Sequence, residues 1–148
     1  MTTTEKGETW NRMVRKTLIF GDDAVTIDNS GDQEIFSATR LEGFDRLALE
    51  IANDNTNNLA AFKIYVRFNA AGVWIPIATA AADYTSPQGF LYSTGTQSSP
   101  SDTLANLTKN TSGWFTMTNL IPIEGVRVMA NSAGATSGLT VRGRAWQL

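Results

Sequence analysis

Asp28-Asn29-Ser30-Gly31-Asp32-Gln33-Glu34 places side-chain oxygens at alternating positions, as short acidic loops do when they surround calcium. The match then fails. Gln33 stands where such a loop needs Gly for its sharp turn, and Thr39 stands where a bidentate Glu belongs. The segment is therefore read as a turn leading into a strand, and no metal is expected. Paired carboxylates could run glycoside hydrolysis, but the acids fall mainly in turns and on polar strand faces. Glu50, between Leu49 and Ile51, comes nearest to a candidate. The chain has no His and no Cys. This removes Ser-His-Asp and Cys-His nucleophiles, the usual zinc ligand sets and the usual general base near neutral pH. No phosphate-cradling Gly-Lys loop, dinucleotide glycine pattern or Gly-x-Ser-x-Gly elbow is present. The residues point to a binding protein, with no catalytic residue and no cofactor.

The four Trp residues carry most of the remaining binding potential. Trp74, Trp114 and Trp146 fall on expected strands. A flat, exposed row of such rings would stack on sugars; packing in the core or at a subunit interface is the commoner use and the preferred reading. Trp10 differs, because it lies in a polar N-terminal stretch beside Arg12, Met13, Val14 and Arg15. Trp10, Arg12, Met13 and Trp146 are the candidate interface residues.

These side chains need a scaffold, and the sequence describes one. The 148 residues suit a single domain. Residues 1–12 lack an apolar period and are read as an arm; residues 13–148 form the domain. Strands are expected over Met13–Phe20 and Ala24–Asp28, with a hairpin-like turn at Gly21-Asp22-Asp23, and a short one over Glu34–Ser37. The clearest alternation is in 44–52 (Leu47, Leu49 and Ile51 on one face) and in 59–69 (Phe62, Ile64, Val66 and Phe68 on one face). These side chains are expected to line one core, on two paired strands. Pro76 in Val73–Ile77 marks an edge strand or a bulge. Residues 83–112 are turn-rich and expected to face a partner. Strands return at 113–119, 125–130 and 139–148, the last two joined by the turn 131–138. The expected fold is all-β: an antiparallel β-sandwich with an N-terminal arm, the jelly roll being one such arrangement.

The charge is −2, from 12 basic and 14 acidic residues, which argues against nucleic acid as a partner. Residues 21–54 are acidic and 55–148 are basic on balance. This fits either a mixed surface or contact between identical copies. No apolar run is long enough to span a membrane as a helix, and the N-terminus lacks a secretory pattern. A chain made in a cytoplasm is therefore expected, with no membrane partner.

The segment Ile123-Glu124-Gly125-Val126-Arg127-Val128-Met129-Ala130, a small-residue turn, and Leu139-Thr140-Val141-Arg142-Gly143-Arg144-Ala145-Trp146 resemble the closing hairpin of small virion accessory proteins of tailed bacteriophages. Capsid decoration (cement), head-fibre and tail-accessory proteins are of this kind. The resemblance covers roughly residues 44–148. It implies a structural virion protein that decorates or stabilises the capsid. Its partner would be the major capsid protein or another virion protein, and it would act as a homo-oligomer, with a trimer as the expected number. The alternative is a carbohydrate- or receptor-binding β-sandwich module of the tail-fibre type, and an enzyme is the third reading.

Overall fold

The computed structural model describes residues 16–53, 57–78, 92–96, 107, 109–118, 120 and 122–148. Among them there are nine strands and no helix: β1 (Thr17–Asp28), β2 (Gln33–Ala38), β3 (Arg46–Asn53), β4 (Leu59–Arg67), β5 (Ile75–Ala78), β6 (Tyr92–Thr96), β7 (Thr111–Met117), β8 (Gly125–Ser132) and β9 (Thr136–Trp146). They form two antiparallel sheets, ordered β1-β9-β3-β7-β6 and β2-β8-β4-β5.

This order is a jelly roll with one added edge strand. β1 pairs with β9, β2 with β8, β3 with β7 and β4 with β5, as if one long hairpin had been folded over. Rolling that hairpin adds the β3–β9 and β4–β8 ladders and distributes its two arms over two sheets. β6 extends the first sheet beyond β7.

Alternation along the strands fills the space between the sheets. Leu47, Leu49 and Ile51 meet Phe62, Ile64 and Val66 there, with Phe115, Met117, Val126, Val128, Leu139, Val141 and Ala145. Phe62 and Phe115 touch edge to face at 6.3 Å between ring centres. Each such side chain taken out of water contributes about 1.5–3 kcal/mol.

Several sequence expectations are corrected. β3 and β4 do not pair; they lie in opposite sheets and meet across the core. Phe68 is 49% exposed because β4 ends at Arg67 and the chain turns there. Gly21-Asp22-Asp23 is no hairpin turn. It lies inside the continuous β1, where the register with β9 shifts between Phe20 and Asp23, a β-bulge opposite Arg142. β8 and β9 form no closing hairpin, since the chain crosses between sheets at 133–135. Trp74 precedes β5 rather than lying on it. Part of the turn-rich stretch 83–112 is strand, namely β6 and the start of β7; much of the rest of it lies outside the described residues. Pro76 does sit on an edge strand, beside a register shift in β4.

Candidate surface groove on the five-stranded sheet

The same alternation that buries Leu47, Leu49 and Ile51 sends Arg46, Ala48 and Glu50 to the outer face of the larger sheet. β9 sends Arg142, Arg144 and Trp146 outward, and β7 sends Trp114 and Thr116. Register then sets their neighbours. Arg142, Glu50 and Trp114 form one cross-strand row; Ile19, Arg144, Ala48 and Thr116 form the next. Cross-strand partners on one face lie within side-chain reach.

Ala48 is the shortest outward side chain in these rows, and Gly21 adds no bulk at the bulge. A groove of about 690 Å³ opens over them. Its walls are Ile19, 74% exposed, and Trp114, 37% exposed, and its charged rim is Arg142, Arg144 and Glu50. Arg142 Nη1 lies 3.6 Å from Glu50 Oε1, with both side chains nearly half exposed. Such a pair is screened by solvent and contributes little to stability. Among the described residues Glu50 is the one carboxylate in the lining. Its chemistry suits an apolar group flanked by charge.

Trp146 ends β9, half-buried, with the Arg144 guanidinium 5.4 Å from its ring centre. With Thr17, Arg144 and Gln147 it lines a smaller depression of about 270 Å³. The other candidates, Trp10, Arg12 and Met13, lie outside the described residues. Trp74 is on the other side of the molecule, against Arg67 and Arg127 of the four-stranded sheet, at 4.8 and 5.9 Å. Trp114 and Trp146 are separated by β3 and offset by four residues in register, roughly 15–20 Å apart. The three rings therefore form no continuous row.

The acidic turn is self-contained. Asp28 Oδ1 accepts from Ser30 N at 2.8 Å, Ser30 Oγ at 2.5 Å and Gln33 Nε2 at 3.0 Å. Those donors, Ser30 first, hold the Asp28 carboxyl below its ordinary range. Asp32 pairs with Lys63 at 2.5 Å, and that hydrogen bond raises the lysine's pKa.

Sequence reasoning noticed Glu50 and Trp114 separately; the fold makes them cross-strand partners. It missed Ile19, Ala48 and Thr116 as a group. The available signal was a small or apolar residue at outward positions of otherwise polar strand faces.

No family model matches the chain, and no curated protein matches it. Among solved structures, the crystal structure of the SPBc2 prophage-derived protein YomS is similar, with a TM-score of 0.52 and 15% identity. The likeness covers 91% of this chain and 96% of that one. At this identity what the two share is the β-sandwich fold.

Proposed function

We propose that this protein is a structural component of a bacteriophage particle, decorating or stabilising the capsid by protein–protein binding. The observation that carries the reading is the likeness of fold, over nearly the full length of both chains, to a prophage-derived protein. The groove supports it. Exposed Ile19 and Trp114 rimmed by charges of both signs form a surface suited to packing against protein, where aromatic and Arg side chains dominate binding energy. A near-neutral net charge fits a protein partner better than nucleic acid.

Trp114 beside Glu50 and Arg142 favours a second reading, a carbohydrate- or receptor-binding module, because an exposed ring next to hydrogen-bonding groups can seat a sugar. Adding the purified chain to phage shells that lack it separates the two. A shell-binding protein restores occupancy and raises resistance of the shells to heat or osmotic shock. A sugar-binding module leaves the shells unchanged and gives a Trp114-dependent hit on a glycan array.

A further inference from the structure

We infer that the groove over Ala48 receives the N-terminal arm of a second copy of this chain, with Trp10 as the anchor. The inference stands apart from the virion reading and rests on where the arm leaves the fold, what it carries and what the groove offers.

The exit is fixed. Lys16 N donates to Gln147 Oε1 at 3.1 Å, and Gln147 N donates to Lys16 O at 3.0 Å. The fifteen residues before Lys16 therefore depart from the end of β1, beside Trp146 at the edge of the five-stranded sheet. Fully extended, the chain from Lys16 back to Trp10 spans about 20 Å. The groove lies further along β1, at Ile19–Gly21, so continuing β1 backwards carries the arm away from it. In residues 11–16 (Asn-Arg-Met-Val-Arg-Lys) Gly and Pro are absent and Asn11 alone is of a turn-favouring type. A neighbour's groove is reached by a straight arm, whereas the chain's own groove requires a fold-back.

The arm's pattern matches the groove. In an extended segment Glu8, Trp10 and Arg12 share one face, an acid, a large ring and a base at period two. The groove presents Arg142 and Arg144, an apolar floor over Ala48 between Ile19 and Trp114, and Glu50. Its volume of about 690 Å³ is ample for an indole. Glu8 then meets an arginine, Trp10 fills the floor, and Arg12 meets Glu50. Reciprocal exchange closes a dimer; exchange in one direction closes a ring.

The absence of native Cys makes the test clean. Full-length Arg12→Cys, which keeps the Trp10 anchor, is mixed under oxidising conditions with full-length Glu50→Cys, and separately with Ser37→Cys, an exposed control on the other sheet. The expected result, read by peptide mass spectrometry, is a mixed disulfide joining positions 12 and 50 in the first mixture and none joining positions 12 and 37 in the second. In parallel, Trp10→Ala should raise the self-association constant for dissociation about thirtyfold, the weight of an aromatic anchor, with the circular dichroism spectrum unchanged. An equal yield of mixed disulfide with Ser37→Cys, no mixed disulfide at all, or a linkage formed solely within a chain carrying both Arg12→Cys and Glu50→Cys would overturn the inference.

Discussion

Arg67 donates from Nε to the Glu124 carboxylate at 2.6 Å, at the point where three separate segments converge. Arg67 is the last residue of β4, Glu124 directly precedes β8, and the same carboxylate accepts the Arg40 amide at 3.1 Å from the connection between β2 and β3. The backbone repeats the join, with Glu124 N donating to Arg67 O and Leu41 N donating to Glu124 O, each at 2.9 Å. Glu124 is 3% exposed, so its charge is tolerated because these donors replace water.

That arrangement predicts acid sensitivity. The Arg67 hydrogen bond, and then the Arg40 amide, hold the Glu124 pKa below its ordinary 4.5, against the opposing effect of burial. A folded pKa depressed below the unfolded value contributes stability that is complete above about 4.5 and is lost as pH falls through the lower folded value. Thermal melts from neutral pH into that acid window should show Tm falling. Glu124→Gln should start from a lower Tm and lose less on acidification, with Asp28, also depressed, supplying part of the remaining slope. Parallel Tm–pH curves for the two proteins would remove Glu124 from this account.

Ile64 is fully buried at the centre of β4. Ile64→Asp places a carboxylate with no partner between the sheets and should cost about 3–5 kcal/mol, enough to unfold a marginal domain. Denaturant melts measure this. An unchanged midpoint would mean that β4 does not line the core.

Two glycines should respond to different degrees. A Cβ at Gly143 would be driven into the Ala48 carbonyl oxygen and the Leu49 side chain, whereas a Cβ at Gly21 meets nothing within 4 Å. Gly143→Ala should therefore destabilise by about 1–3 kcal/mol through overpacking, and Gly21→Ala by no more than about 0.5 kcal/mol. Equal effects in chemical denaturation would contradict the β3–β9 register.

Much of the interior was legible because burial follows period two: Leu47, Leu49, Ile51, Phe62, Ile64 and Val66 are all in the core, as their alternation predicts. Alternation assigns a face to each side chain but not a partner to each strand. For that reason β3 and β4, adjacent in sequence, are not adjacent in a sheet, and β8 and β9 are an arch between sheets rather than a hairpin. Gly21-Asp22-Asp23 misled for a related reason. The same residue types serve turns and bulges, and what makes this segment a bulge is its pairing with Val141–Gly143, more than a hundred residues away. The groove was hidden at the same level. Ala48 is a floor only because register sets Arg144 and Thr116 beside it.

Truncation separates fold from assembly. Among the described residues the fully buried core begins at Ile27, with Phe20 and Val25 packed against it. Deleting residues 1–12 should therefore leave the β spectrum by circular dichroism intact while shifting sedimentation toward smaller species. Loss of the β signal would make the arm a core strand instead.

The central claim is that this chain is a structural part of a phage particle. Cryo-electron microscopy of purified particles from a bacteriophage encoding it, with the chain quantified by mass spectrometry, tests that claim most directly. The account predicts symmetric copies of the two-sheet sandwich seated on the shell, in a fixed ratio to the major capsid protein. Particles that contain none of the chain, while the free protein binds a glycan through Trp114, would contradict it.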